Sequence, residues 1–169
     1  GVEGIKIEPI LEKEGRIGDH LKPGDEIMVQ IAKEAISTKG PRLTADISLA
    51  GRNVVLVPFS NKVFVSNKIR SNAAKKRLRK VAQEVLPQNF GVIIRTAAAD
   101  AEDIDIMQDI LSLVERWNKT LATMRKSEAP ARLMSEMSRV NPITRDSLND
   151  TISQITVDDE AMYKEIKSY

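Results

Sequence analysis

Arg95 and Thr96 are neighbouring residues whose side chains could together bind an oxyanion. They end a short β-rich run, residues 91–96, that predicts a buried strand, where a charged residue rarely lies without a partner. A terminal phosphate monoester carries about −1.5 to −2 charges at neutral pH and has several acceptor oxygens. A guanidinium can bond two of these oxygens and a threonine hydroxyl another. The residue types also allow Arg95 to pair with Asp100 or another carboxylate, so both interpretations stay open here.

A block of basic residues surrounds this pair in the sequence. Residues 31–100 contain 13 Lys and Arg against 4 Asp and Glu, a net charge of +9. The flanks are acidic: residues 1–30 have 4 against 7 (−3), and residues 101–169 have 9 against 13 (−4). Such a block is typical of a surface that binds a phosphate backbone. A solvated helix face is the ordinary alternative for its densest part, which consists of Lys75, Lys76, Arg77, Arg79 and Lys80.

The composition of the 169 residues narrows the possible chemistry. The absence of cysteine excludes disulfides and thiolate metal ligands, and is typical of the reducing cytoplasm. No run of 18 apolar residues predicts a membrane span, and residues 1–20 show no charged-then-apolar leader. His20 has no second His or carboxylate at ligand spacing, and the acidic residues 158–160 are predicted surface or helix N-terminal charges. We therefore expect no metal site and no catalytic carboxylates.

Several predicted elements must position these residues. Two alternating segments, residues 26–33 and 42–49, predict strands joined by a turn that projects Lys39. In the second strand one face is apolar and the other polar, the apolar residues being Leu43, Ala45, Ile47 and Leu49. Gly51 then precedes an apolar strand, residues 54–57, and residues 62–66 are predicted to be its short partner strand. Residues 1–20 are predicted to be a linker or irregular lead-in.

Helices are predicted on both sides of the strand at residues 91–96. Ser71 can cap the first, residues 72–86, whose apolar stripe comprises Leu78, Val81, Ala82 and Val85. The second, residues 102–126, should bury a stripe formed by Ile104, Met107, Leu111, Val114, Leu121 and Met124. Trp117 is more consistent with a core residue than with a stacking platform. The tail predicts helices from Leu133, at 145–152 and at 160–167, with a strand at 155–157.

Two segments resemble the central part of the ribonuclease E/G family of bacterial endonucleases. They are KEAISTKGPRLTADISLAGRNVVLVP (residues 33–58) and GVIIRTAA (residues 91–98). The first is similar to the last strands of the family's OB-type RNA-binding domain, continuing into its sensor of RNA 5′ ends. The second contains the Arg-Thr pair that grips a 5′-terminal phosphate in the family. The resemblance extends over residues 24–145, and the order and spacing of the motifs fit it.

The resemblance implies a role for individual residues. A 5′-phosphate pocket would consist of Arg95, Thr96 and a loop containing Gly51 and Val55. Glycine at 51 would let backbone approach the ligand closely, while Val55 would form a pocket wall. The family's two basic residues before an isoleucine are Asn67 and Lys68 here, so one charge is replaced by an amide. Lys39 matches a lysine that contacts RNA, although an exposed turn lysine is the simpler interpretation.

The resemblance also implies a fold and a function. The fold would be α+β, with the end of an OB-type domain at residues 1–45, a 5′-sensor at 46–140 and the start of a ribonuclease H-like subdomain at 141–169. The parent enzyme would cut single-stranded RNA in RNA decay and rRNA processing as an oligomer, using Mg²⁺, with zinc between subunits. This chain would lack the catalytic domain and be inactive alone. The alternatives are a single-stranded RNA-binding module without 5′-end preference, and a structural domain that binds a protein partner.

Overall fold

The computed structural model describes residues 15–135 and 151–168, which form an α+β structure. Backbone contacts divide the chain into two compact units, one up to Leu113 and one from Val114. No helix in the described part of the chain is long and apolar enough to cross a membrane. The six strands found among these residues all lie in the first unit. The predicted helix from Leu133 and the predicted helix at 145–152 both fall largely outside the described residues.

The first part of the chain is a small two-stranded sheet. After a single helical turn, α1 (Ile17–His20), strand β1 (Gln30–Lys33) pairs antiparallel with β2 (Arg42–Thr44). The predicted strand at 26–33 is therefore shorter than expected, and the lead-in is not wholly irregular. Lys39 lies in the connecting turn, where its backbone exchanges two hydrogen bonds with Ile36.

The predicted strand at residues 42–49 is wrong as a single element. It breaks after Thr44, whose hydroxyl accepts from the backbone N–H of Asp46, and its chain resumes as β3 (Leu49–Ala50) in a different sheet. The side chain of Gln30 bonds both backbone groups of Ser48 and so stabilises the break. The expected apolar face is not continuous, because Leu43 is exposed while Leu49 is buried.

A four-stranded sheet in the order β3-β4-β6-β5 forms the centre of the first unit. Strand β4 (Val54–Pro58) is antiparallel to β3 and to β6 (Phe90–Ile94), and β5 (Val63–Val65) is parallel to β6. The predicted strand at 62–66 exists, but its hydrogen-bonded neighbour is β6 rather than β4. A parallel pair needs a crossover, and α2 (Asn72–Val85) supplies it.

The core lies on one face of this sheet. Ser71 caps α2 by accepting from the N–H of Ala74 at 3.2 Å, as predicted. Its predicted stripe is confirmed at Leu78, Val81 and Ala82, which are buried, and the helix contacts β5. The buried aliphatic side chains of the sheet alternate along the strands, as expected where one face is covered. They are Leu49, Val54, Leu56, Val65, Val92 and Ile94.

The long helix α3 (Asp103–Met124) is rotated relative to the predicted stripe. Ile104 and Leu111 are exposed, and the buried positions are Ile106, Ile110, Leu113, Trp117 and Thr120. Apolar residues occur on several sides of α3, so periodicity alone allowed two phases. The prediction that Trp117 is a core residue is confirmed. In the tail, the helix predicted at 160–167 is present as α4 (Glu160–Ser168), but residues 155–157 do not form a strand.

Candidate functional site

The loop between β3 and β4 is held by Arg95, at the end of β6. Nη1 of Arg95 donates to the carbonyl oxygens of Gly51 (2.9 Å) and Arg52 (3.2 Å). The backbone N–H of Arg95 donates to the carbonyl of Asn53 at 2.8 Å, which extends the β4–β6 pairing by one step. The structure therefore brings Arg95 and Gly51 together although 44 residues separate them.

Asp109, on α3, holds the same loop as a hydrogen-bond acceptor, whereas Arg95 holds it as a donor. One of its carboxylate oxygens accepts from the backbone N–H groups of Asn53 (2.7 Å) and Val54 (3.1 Å). Hydrogen bonds from backbone N–H groups to a charged carboxylate are stronger than neutral ones. Arg95 thus fixes the carbonyl groups of the loop and Asp109 fixes its N–H groups, so the loop has a defined backbone conformation.

Gly51 is required by this packing. A Cβ atom at position 51 would lie 2.6 Å from Oδ2 of Asp109 and closer still to Oδ1. Any side chain there must displace the carboxylate that bonds Asn53 and Val54. The physical reason for glycine shown by the structure is the approach of Asp109. The close approach of the protein backbone to a ligand, which the sequence predicts at Gly51, stays a prediction.

Thr96 begins a short 3₁₀ helix (Thr96–Ala99) directly after Arg95. Its hydroxyl lies 3.0 Å from the hydroxyl of Ser66, which follows β5. Ser66 also accepts from the backbone N–H of Lys68 at 3.3 Å. The carboxyl ends of the two parallel strands thus meet at one edge of the sheet, and they bring exposed Asn67 and Lys68 into the same loop cluster as Thr96.

Val55 occupies the outer face of the sheet, one residue beyond the loop. It is paired in register with Ala50 on one side and with Ile93 on the other, and it is half-buried. The pocket residues expected from the sequence are therefore close together: Gly51, Arg95 and Thr96 at the strand ends, and Val55 at the start of the adjoining face.

The other predicted RNA-binding residues do not join this cluster. Lys39 is in the turn of the two-stranded sheet. Lys75, Lys76 and Arg79 belong to α2, which covers the face of the four-stranded sheet opposite to Val55; Lys76 and Arg79 are exposed. Arg77, in the same basic run, has a structural role, since it pairs with Asp103 and donates to the carbonyls of Ala99 and Ala101.

Two residues of the cluster were missed by sequence reasoning. Ser66 directly precedes Asn67 and Lys68 in the sequence, but nothing local shows that its hydroxyl meets Thr96. Asp109 gave no signal, because an acidic residue beside an apolar helical stripe is ordinary and its partners lie 55 and 56 residues away. The alternative carboxylate partner proposed from the sequence, Asp100, is exposed at the end of the 3₁₀ helix.

The site brings together a guanidinium, two hydroxyls and a lysine, all of which can donate hydrogen bonds. In residues 15–135 and 151–168 no group of three or more His, Cys, Asp or Glu could hold a metal ion. The Mg²⁺ and zinc implied by the resemblance belong to the parent enzyme, and their presence there stays a prediction. The pKa of Glu115 is held below its ordinary value by a hydrogen bond from Lys119 and by the positive charge of that lysine. This exposed pair is not part of the cluster.

Comparison with known proteins identifies a family. The profile of the ribonuclease E/G family matches residues 48–169. Ribonuclease E of Nostoc sp. is 33% identical over 153 residues, which are 90% of this chain and 22% of that protein. Ribonuclease G of Escherichia coli K12 is 31% identical over 153 residues, which are 90% of this chain and 31% of that protein. The chain spans less than a third of the length of these relatives.

Proposed function

Because the chain belongs to the ribonuclease E/G family, we propose that it is the part of a bacterial single-strand-specific endoribonuclease that binds RNA and senses a 5′-monophosphate. The observation that carries the proposal is the convergence of Arg95, Thr96 and the Gly51 loop at one edge of the sheet. These residues come from three separate segments, and all of them match the sensor motif that the sequence resembles.

The chemistry of the cluster suits a terminal phosphate. A monophosphate carries a higher charge than an internal phosphodiester, so it gains more from a guanidinium that can bond two of its oxygens. A phosphate held by Arg95 would lie beside the Gly51 loop, whose conformation is fixed before binding by Asp109. The hydroxyl of Thr96 could donate to a further oxygen. A triphosphate is bulkier, and a closed pocket would disfavour it.

Asn67 and Lys68 would contribute from the adjoining loop. Lys68 supplies a positive charge to the same edge of the sheet, and Asn67 supplies an amide donor without a charge. We propose that this replacement weakens the attraction for a phosphate but leaves the pocket usable. Lys39, Lys75, Lys76 and Arg79 would bind the RNA backbone elsewhere, in a manner that depends on salt but not on the end group.

The sensor would act by anchoring rather than by chemistry. Holding one end of an RNA raises the effective concentration of an internal site near a catalytic domain. The parent enzyme is proposed to be cytoplasmic and oligomeric, with Mg²⁺ for hydrolysis and zinc between subunits. Within it, residues 1–45 would belong to an OB-type domain, 46–140 to the 5′-sensor and 141–169 to a ribonuclease H-like subdomain. The chain alone is proposed to bind RNA without cutting it.

The test compares one short single-stranded RNA with a 5′-monophosphate, a 5′-hydroxyl or a 5′-triphosphate. Each strong charged hydrogen bond is worth roughly 1.5–3 kcal/mol, so the chain should prefer the monophosphate by about tenfold or more. Arg95→Ala should abolish the preference. Arg95→Lys, which keeps the charge without the planar fork, should retain part of it. Unchanged melting temperatures would show that both variants are folded.

Arg79→Ala is the matched control, because it removes an arginine from α2, outside the cluster. This substitution should weaken the binding of all three RNAs equally and leave the preference for the 5′-monophosphate intact. Equal binding of the three RNAs by the unmodified chain would overturn the sensor and favour an RNA-binding module without end preference. No binding at physiological salt would instead favour a structural domain. Mg²⁺-dependent cleavage of the RNA that disappears in Arg95→Ala would contradict the proposed lack of nuclease activity.

A further inference from the structure

The outer face of the four-stranded sheet carries an exposed row of apolar side chains. Phe64 on β5 is in register with Ile93 on β6, which is in register with Val55 on β4. Phe64 is 55% exposed and Ile93 42%, whereas their neighbours Val65 and Val92 are buried on the opposite face. An aromatic ring and a β-branched side chain thus lie side by side on the outer face of the sheet, and both are partly exposed.

This apolar row ends at the proposed phosphate site. Arg95 lies two residues beyond Ile93 and begins on the same face of β6. From the spacing of residues along and between strands, the Cα atoms of Arg95 and Phe64 are about 8 Å apart. The first nucleotides of an RNA strand whose terminal phosphate is bound at Arg95 could therefore reach Phe64.

The surrounding charges favour a nucleic acid over an apolar protein partner. Lys62 and Lys68 flank β5, and Arg52 is exposed in the loop at the start of β4. Positive charges beside an aromatic surface are the combination by which single-stranded nucleic acids are bound: cations hold the backbone while bases stack on rings. The core of a protein–protein interface is, by contrast, depleted of charged residues.

We propose that Phe64, supported by Ile93, is a stacking platform for a base at the first or second nucleotide of the bound RNA. The proposal rests on the proposed function, since the terminal phosphate sets the register of the strand. It adds a base-binding subsite that tolerates any base, because every base has a π-face. The sensor would therefore bind RNA more tightly than phosphate alone. It would also bind a nucleotide with a base more tightly than an abasic one.

The experiment combines a protein change with an RNA change. Phe64→Leu keeps an apolar side chain but removes the ring. The RNAs are one 5′-monophosphorylated oligonucleotide, intact or with a single abasic position at nucleotide 1, 2 or 6. We expect Phe64→Leu to weaken binding of the intact RNA about tenfold, and an abasic position 1 or 2 to weaken binding by the unmodified chain similarly. The two losses should not add, because they remove the same contact.

Leu111→Ala is the control, since it removes a comparably exposed side chain (51%) from α3 and should change nothing. Additive losses, or a loss from abasic position 6 as large as the larger of the losses from positions 1 and 2, would overturn the platform. So would an unchanged affinity of Phe64→Leu. A change in oligomeric state in Phe64→Leu, with RNA binding retained, would show a protein interface instead. In each of these cases a persistent preference for the monophosphate over the hydroxyl would leave the proposed sensor standing, so the two failures are distinguishable.

Discussion

The two sheets of the first unit use similar short, alternating strands but differ in what they bury. In the two-stranded sheet Ile31 and Leu43, which are in register, are 61% and 53% exposed, and no residue between 15 and 48 is buried. In the four-stranded sheet Leu56 and Val92, also in register, are fully buried. Within residues 15–135 and 151–168, the difference is the layer of helix, which packs on the second sheet.

The comparison teaches that alternation predicts a strand but not a core. A two-stranded sheet has marginal stability unless another layer packs on it, whereas a larger sheet covered by a helix can be stable by itself. The proposed site lies where the covered sheet ends, and its loop is fixed by Arg95 and Asp109. Lys39, by contrast, is in a turn whose described contacts are local.

The largest expected difference between the sheets is in stability. Leu56→Ala should lower the free energy of unfolding by about 2–5 kcal/mol, because it leaves a cavity in the core. Leu43→Ala removes the same atoms from an exposed position and should cost less than about 0.5 kcal/mol. Urea unfolding followed by circular dichroism measures both. Equal losses would mean that the two-stranded sheet is stabilised by a core of its own.

A smaller difference in stability is expected between alanine substitutions of two glycines. Gly51→Ala should lower the free energy of unfolding by about 1–3 kcal/mol, since the new Cβ displaces the carboxylate of Asp109. It should also reduce the preference for a 5′-monophosphate. Gly40, in the turn of the two-stranded sheet, has nothing within 4 Å of an added Cβ, so Gly40→Ala is the control. Thermal melting measures the stability of both variants. A Gly51→Ala chain as stable as Gly40→Ala would refute the packing explanation.

The smallest effects concern two exposed lysines. Lys68→Ala removes a charge beside Thr96 and should weaken binding of 5′-monophosphate RNA a few-fold more than binding of 5′-hydroxyl RNA. Lys39→Ala should weaken both equally and lower the slope of log affinity against log salt by about 0.7, the value for one phosphate of a single strand. Titrations at several salt concentrations measure both quantities. A selective loss in Lys39→Ala would place the end-binding site at the two-stranded sheet.

Local signals made much of the fold predictable. The cap at Ser71 and the stripe of α2 act within a few residues, and both are confirmed. The strands β4 and β6 are short apolar runs; β4 is one residue longer than predicted, and β6 ends two residues before the predicted end at 96. Membership of the ribonuclease E/G family, predicted from two segments and the spacing between them, is also confirmed. The proposed boundaries at 45 and 140 and the roles of the pocket residues stay predictions.

Long-range signals were absent from the sequence. Its pattern could not show that residues 42–49 divide between two sheets, because the break depends on bonds from Gln30, 18 residues away. Nor could it show that β6 lies between β4 and β5, which follows from the crossover through α2. The phase of α3 was wrong because its apolar residues allow two stripes and only the packed neighbours select one.

By itself the sequence determined the family, the strand and helix segments of the centre, and the adjacency of Arg95 and Thr96, because motifs, caps and alternation operate over short distances along the chain. Only the tertiary structure decided that Arg95 and Asp109 hold one loop between them, that Gly51 must lack a side chain, and that Phe64 and Ile93 share an open face beside it. Those relations join residues from separate segments, some more than 40 positions apart, and they arise when the strands pair and the helices pack.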